Sequence, residues 1–173
     1  SGNKLPKGSY PIAQAYAGHQ FGNFVILGDG RAILIGEHLT SSNNRYDIQL
    51  KGAGITQFSR GGDGKATLSS MLREYLFSES MFFLNIPTTR SLAVMKTGEK
   101  IYRNEINDGA ILTRIASSHI RVGTFEYIST FCSKDELKLF THYVIKRHYP
   151  ELLSSSNPTI MLFKSVIKKQ INL

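Results

Sequence analysis

The sequence predicts an α+β protein in which a small antiparallel sheet with one packed helix is followed by further helices. Short apolar runs separated by glycine and asparagine precede residue 52, which is typical of strands and turns. Apolar residues recur with helical periodicity between residues 65 and 84. Beyond Thr124 the pattern is helical, so we divide the 173 residues into a mixed unit, 1–123, and a helical unit, 124–173.

The first strands are predicted on either side of Gly28-Asp29-Gly30-Arg31. Phe24–Leu27 and Ala32–Gly36 are apolar runs around an Asp-Gly pair, which favours a tight hairpin turn because glycine tolerates positive φ. A second turn is predicted at Asn43-Asn44. The next residues, Tyr46–Lys51, alternate between apolar and polar side chains and therefore predict a strand. Its polar face carries Asp47, Gln49 and Lys51.

A glycine-rich loop and a long helix follow this strand. Gly52–Gly64 contains five glycines and is predicted as a loop. The helix is predicted from Lys65 to Leu84, and Pro87 marks its end. Its apolar stripe consists of Leu68, Met71, Leu72, Tyr75, Leu76, Phe82 and Phe83.

More strands and then helices are predicted in the rest of the chain. Turns are expected at Thr97-Gly98 and at Asn107-Asp108-Gly109. Lys134–His148 has apolar residues in helical register, and Asn157-Pro158 is typical of an N-cap and first-turn pair. The predicted strands are Leu92–Met95, Ile101–Arg103 and Ala110–Ile115.

The composition and the net charge indicate which kinds of molecule this protein could bind. The net charge of +8 favours anionic partners such as nucleotides, nucleic acids or acidic protein surfaces. Aromatic residues are not interleaved with the basic runs, so we do not expect nucleic-acid binding. No apolar run approaches a membrane span and the first residues do not resemble a signal peptide, so we expect no membrane partner and a cytoplasmic location. The histidines and the single Cys132, expected to be buried, show no metal-ligand spacing.

Several segments could bind an anion, and each also has an ordinary structural interpretation. Gly28-Asp29-Gly30-Arg31 could bind a phosphate through glycine backbone that no side chain shields and through the arginine guanidinium, or it could be a plain hairpin turn. Lys51 at a strand end suits phosphate contact, or is an exposed strand lysine. Residues 60–65 would form an anion-binding nest at a helix N-terminus, or a linker. Arg114 and Arg121 could clamp phosphate oxygens, or lie on the surface.

Two glutamates on the long helix could pair with Lys51. Glu74 lies at the edge of the apolar stripe, whereas Glu79 lies near its centre, where an unpaired charge would be unfavourable. Spacing by itself leaves this choice open.

The order and identity of these motifs resemble the SelO/YdiU family of protein adenylyltransferases. The resemblance covers about residues 11–128, and the later helices fit the family more loosely. The motifs are Tyr16-Ala-Gly-His-Gln-Phe-Gly22, Leu27-Gly-Asp-Gly-Arg-Ala32, Gln49-Leu-Lys-Gly-Ala-Gly54, Ser59-Arg-Gly-Gly-Asp-Gly64, Arg73-Glu74, Ile86-Pro-Thr-Thr-Arg90 and Ser117-Ser-His-Ile-Arg121.

This resemblance implies a protein-kinase-like N-lobe that leads into an incomplete C-lobe. It also implies that ATP binds in an orientation reversed from that in kinases, with the γ-phosphate deep and the α-phosphate toward an acceptor hydroxyl. On matching positions, Lys51 would hold phosphate with Glu74 as its ion-pair partner, and Arg114 and Arg121 would grip the terminal phosphates. The other implied nucleotide contacts are Gly28, Gly30, Arg31, Asp63 and Gly64.

The implied reaction transfers AMP from ATP to a Ser, Thr or Tyr hydroxyl of another protein. The catalytic aspartate and the Mg²⁺ ligands of the family are expected after the point where this sequence stops, so no catalytic or metal-binding residue is expected within it. We therefore expect a truncated, inactive portion that retains the ATP site. The alternative is a non-enzymatic module that binds nucleotides or other proteins.

Overall fold

The computed structural model describes residues 3–172. The chain divides into two compact units, Ser1–Arg121 and Val122–Leu173. In the described residues it is an α+β protein with two small antiparallel sheets and four α-helices. The elements are β1 (Ala17–Gln20), β2 (Asn23–Ile26), β3 (Ala32–Leu39), β4 (Arg45–Lys51), α1 (Leu68–Phe83), β5 (Arg90–Tyr102), β6 (Ile106–Ala116), α2 (Val122–Phe131), α3 (Lys134–His148), a 3-10 helix (Pro150–Ser154) and α4 (Pro158–Ile171).

The first unit is built on a four-stranded sheet in the order β3-β4-β6-β5, beside a separate β1-β2 hairpin. Helix α1 packs against β5 and β6. Met71 and Leu112 are fully buried at this contact, with Ala66 and Ala110 beside them. Burying apolar side chains here stabilises the helix against the sheet. The predicted order of sheet, helix and further helices is therefore confirmed.

The hairpin predicted around Gly28–Arg31 is wrong. β2 pairs with β1 rather than with β3, and β3 pairs with β4. The Leu27 and Gly28 N–H groups both donate to the Tyr16 carbonyl, at 2.9 and 3.1 Å, which holds this segment beside the preceding chain. The reversal occurs instead at Phe21-Gly22, where both residues have positive φ, as a two-residue hairpin requires.

Two of the later turns are also wrong, because β5 and β6 are longer than predicted. Thr97-Gly98 lies in a register shift inside β5 and does not end it. Asn107 and Asp108 pair within β6, where the Asp108 carboxylate binds both Lys96 and Lys100 of β5. These cross-strand ion pairs favour the extended ladder, and the chain reverses at residues 103–105 instead.

Helix α1 begins later than predicted. Thr67 is its N-cap, and its side chain accepts a hydrogen bond from the Ser70 N–H. Lys65 forms a β-bridge with Ala53, so the glycine-rich loop does not lead directly into the helix. The predicted apolar stripe is only partly buried: Met71 is covered, whereas the outer residues Leu72, Leu76, Phe82 and Phe83 are exposed, since the sheet covers one side of the helix.

The second unit consists of helices, as predicted. α3 spans the predicted residues Lys134–His148 and begins with a capping box between Ser133 and Glu136. α4 begins at the predicted Asn157-Pro158 pair, where the Asn157 side chain accepts from the Ile160 N–H. The expectation that Cys132 is buried is wrong; it lies exposed in the short connection between α2 and α3.

Candidate functional site

Strand β4 presents its polar side chains to a buried environment. It lies between β3 and β6, so both of its edges are hydrogen-bonded to neighbouring strands. Asp47 is 2% exposed and Gln49 is 0% exposed. Cross-strand pairing places Gln49 opposite Arg114, and Lys51 opposite Leu112 of the α1-packed core. Polar groups buried in an interior strand require partners, and these partners define the site.

Glu74 of α1 joins Lys51 to Arg114. Its Oε2 accepts from the Lys51 Nζ at 2.5 Å, and its Oε1 accepts from the Arg114 Nε at 2.7 Å. Glu79 is engaged elsewhere: it binds Arg90 through two hydrogen bonds of 2.8 and 2.6 Å. Of the two glutamates that spacing left open, Glu74, the one that the family resemblance implies, is therefore the one that contacts Lys51.

The pKa values in this cluster reflect burial and charge. Burial and the nearby Arg114 guanidinium lower the pKa of Lys51, although Glu74 opposes this. Burial raises the pKa of Glu74, but the hydrogen bond from Lys51 and the Arg114 charge outweigh it, so the pKa falls below its usual value. Two cations thus share one carboxylate, which leaves net positive charge for an anionic ligand.

Asp29 forms a second buried centre, which sequence analysis did not single out. It is 3% exposed, and its carboxylate accepts from the Gln49 Nε2 at 3.0 Å and the Gln14 N–H at 3.2 Å. Arg121 Nη2 lies 3.3 Å from its Oδ1. Burial raises the pKa of Asp29, while the Arg121 charge opposes the rise. Arg121 also lies over the Tyr16 ring, 4.3 Å from its centroid.

Gly28 and Gly30 are required by packing of the loop itself. A Cβ on Gly28 would overlap the Phe58 ring, and one on Gly30 would lie 2.7 Å from the Phe58 carbonyl oxygen. Ser59 Oγ donates to the Gly30 carbonyl at 2.6 Å, which fastens the two loops together. Sequence analysis explained these glycines by close approach of a phosphate. The structure gives a second reason for them, because Phe58 occupies the space that a side chain would need.

The glycine-rich loop is held by Asp63 and Gly64. The Asp63 carboxylate accepts two hydrogen bonds from Arg103, at 2.9 and 2.7 Å, and one from the Lys65 N–H. The Arg103 hydrogen bonds lower the pKa of Asp63 to about 2. Gly64 has a φ of +66°, and a Cβ there would overlap the Gly54 carbonyl. Arg103 has no motif around it in the sequence, and only the fold brings it here.

Lys51, Asp29, Asp63 and the two arginines Arg114 and Arg121 border one cavity of about 570 Å³. Arg60, Lys65 and Arg103 add positive charge to its wall, against the carboxylates of Asp29 and Asp63. Glu74 and Gln49 lie behind the wall and support it through Lys51 and Arg114. The sequence-predicted residues in the wall are Gly28, Gly30, Arg31, Lys51, Asp63, Gly64, Arg114 and Arg121.

Comparison with known proteins identifies the family. The family model described as "Protein adenylyltransferase SelO" matches residues 2–173. This chain belongs to the SelO family. The resemblance inferred from the motifs is therefore confirmed, and it extends across the helical unit as well.

Relatives of this SelO-family chain include proteins named "Protein nucleotidyltransferase YdiU". Those from Bacillus mycoides (strain KBAB4), Pelagibacter ubique (strain HTCC1062) and Nitrosococcus oceani are 61%, 59% and 60% identical to it over 173 residues. Each alignment covers 100% of this chain but only 36%, 36% and 35% of the relative. The chain thus spans about a third of the length of these relatives.

Metal-ligand clusters and membrane-spanning helices are both absent from the part of the chain that the structure describes. Within residues 3–172, no group of three or more His, Cys, Asp or Glu side chains could hold a metal ion. Across that part of the chain, no helix is both long and apolar enough to cross a membrane.

Proposed function

We propose that the first unit binds the ATP of a protein adenylyltransferase and corresponds to the N-lobe of a protein-kinase-like fold. The observation that supports this most directly is the meeting of Lys51, Arg114 and Arg121 at one cavity, although they lie far apart in the sequence. A strand lysine paired with a helix glutamate, as in Lys51 and Glu74, is the arrangement that kinases use to hold phosphates.

In this proposal the residues predicted from the sequence have distinct roles. Lys51 contacts phosphate and Glu74 orients it, while Arg114 and Arg121 hold the terminal phosphates through their planar guanidinium groups. The remaining contacts line the nucleotide from the two loops. They are Gly28, Gly30, Arg31, Asp63 and Gly64.

For the whole-length protein we propose transfer of AMP to a Ser, Thr or Tyr hydroxyl of a protein substrate. The hydroxyl oxygen would attack the α-phosphorus of ATP and give up its proton to a base, the bond between the α-phosphorus and the oxygen that bridges it to the β-phosphorus would break, and pyrophosphate would leave. The share of this reaction that we assign to the present residues is binding and orientation of the triphosphate. Catalysis of such transfers depends largely on positioning and charge stabilisation.

A thermal melt of the purified protein with and without ATP tests the binding site. ATP at about a hundred times its dissociation constant should stabilise by about 2.7 kcal/mol. For this size of chain that corresponds to a rise in Tm of about 5–10 °C. The Lys51→Ala variant should lose the rise. Adding Mg²⁺ in a parallel sample shows how far binding depends on the metal.

Lys100→Ala is the matched control. Lys100 is also a strand lysine with an acidic partner, Asp108, but it lies outside the cavity wall. It should keep the ATP-induced rise. A cooperative melt that ATP does not shift would reject the nucleotide site and favour the alternative of a protein-interaction module, for which the exposed Leu76 and Phe77 of α1 would be candidates.

A further inference from the structure

Gln49 lies at the centre of the polar network behind the cavity. Its Oε1 accepts from the Arg114 Nη1 at 3.0 Å, and its Nε2 donates to the Asp29 Oδ2 at 3.0 Å. An arginine can only donate and an ionised carboxylate can only accept, so one orientation of the amide satisfies both neighbours. No charged side chain could replace it, because a carboxylate would repel Asp29 and an ammonium would repel Arg114.

Asp29 extends this network to the second arginine. While Oδ2 accepts from Gln49, Oδ1 lies 3.3 Å from the Arg121 Nη2. Arg114 and Arg121 are therefore connected through Gln49 and Asp29. The four residues come from β6, β4, the loop before β3 and the segment after β6. Each arginine has a further anchor, Glu74 for Arg114 and the Tyr16 ring for Arg121, and the link through Gln49 and Asp29 is the one that joins the two.

Gln49 itself cannot touch a ligand, since it is 0% exposed and does not belong to the cavity wall. We infer that Gln49, acting through Asp29, is a positioning residue that sets the spacing of Arg114 and Arg121 for a polyphosphate chain. This inference rests on the proposed function and adds to it a residue outside the nucleotide contacts. A buried polar network of this kind fixes one geometry only when every member is satisfied.

Gln49→Met tests the inference without changing the net charge. Methionine has a similar length and fills the space, but it supplies neither the acceptor for Arg114 nor the donor for Asp29. We expect the dissociation constants of ATP and of inorganic tripolyphosphate, measured by calorimetry well below the Tm, to rise about tenfold. Leu50→Met is the matched control, because Leu50 is the next residue, is also buried, and lies on the opposite face of β4. It should leave both constants unchanged.

Asp29→Asn tests the inference through the direction in which the affinity for tripolyphosphate changes. It removes a negative charge from a cavity proposed to bind an anion, so general electrostatics predicts tighter tripolyphosphate binding. Positioning predicts weaker binding, because the Arg121 guanidinium loses its charged anchor. Weaker binding by this variant supports the inference even if Gln49→Met does not fold.

The outcomes separate the inference from the proposed function. If the wild-type protein binds tripolyphosphate, and either a folded Gln49→Met binds it equally well or Asp29→Asn binds it more tightly, the positioning role is overturned while the nucleotide site stands. If the wild-type protein binds neither ATP nor tripolyphosphate, both ideas fail.

Discussion

Arg103 binds both carboxylate oxygens of Asp63, a residue 40 positions earlier in the chain. This pair ties the turn between β5 and β6 to the glycine-rich loop at the cavity. Because the Arg103 and Asp63 side chains are 43% and 41% exposed, solvent screens the pair, and it contributes more to the position of the loop than to the stability of the fold.

The Arg103→Ala variant should raise the pKa of Asp63. Its value of about 2 depends first on the hydrogen bonds from Arg103, so their loss moves it back toward the ordinary 3.8. A carboxylate whose pKa is lowered by folding contributes stability that is lost as the pH falls through the folded value, here between about 4 and 2. NMR titration of Asp63 measures this directly. Arg45→Ala, which breaks the exposed pair with Glu37, should leave the Asp63 titration unchanged.

The Glu74→Gln variant should make the Lys51 amine more reactive. The hydrogen bond and charge of Glu74 raise the pKa of Lys51 against the effects of burial and Arg114, so removing them lowers it further. A larger neutral fraction reacts faster with acetic anhydride, and mass spectrometry of the labelled peptide measures the rate. Glu79→Gln is the matched control on the same helix, since Glu79 pairs with Arg90 instead. Equal labelling of Lys51 in wild type and Glu74→Gln would contradict the expectation.

Two glycines of the same loop should differ in their tolerance of alanine. Both Gly61 and Gly64 have positive φ, which costs an L-residue about 1–2 kcal/mol. At Gly61 an added Cβ meets open space, whereas at Gly64 it overlaps the Gly54 carbonyl. Gly64→Ala should therefore lower the free energy of unfolding by about 3 kcal/mol or more, and Gly61→Ala by only the smaller amount. Denaturant melts of both variants provide the comparison. Equal losses of unfolding free energy would show that the overlap at Gly64 adds nothing to the cost of positive φ.

The helical unit offers a test of the capping box at the start of α3. Ser133 accepts from the Glu136 N–H, and the Glu136 carboxylate accepts from the Ser133 N–H. Ser133→Ala should cost about 1 kcal/mol of unfolding free energy in denaturant melts. Ser129→Ala is a suitable control, because its hydroxyl donates to the Glu126 carbonyl inside α2 and caps no helix N-terminus. A loss in the control as large as that in Ser133→Ala would argue against the capping contribution.

Sequence analysis correctly predicted the elements that depend on interactions between residues close together in the chain. The α3 bounds, the Asn157 cap, β4 and the glycine-rich loop follow from periodicity, capping preference and glycine content, which act over a few residues. The turns at Thr97-Gly98 and Asn107–Gly109 did not follow, because Asp108 binds two lysines of the neighbouring strand and keeps the chain extended. Turn residues give no information about a partner strand.

The sequence by itself determined the family, the α+β class and the residues proposed to hold the nucleotide, because motifs and their order can be read from the chain without a structure. The tertiary structure places Glu74 rather than Glu79 against Lys51, a choice that spacing left open and that the family resemblance alone implied. It also decided that Phe58 fills the space beside Gly28, and that Gln49 and Asp29 connect the two arginines. These contacts join residues 20 to 92 positions apart, as between Gln49 and Asp29 and between Arg121 and Asp29. Their geometry arises when buried polar groups find partners across packed elements, which no local pattern specifies.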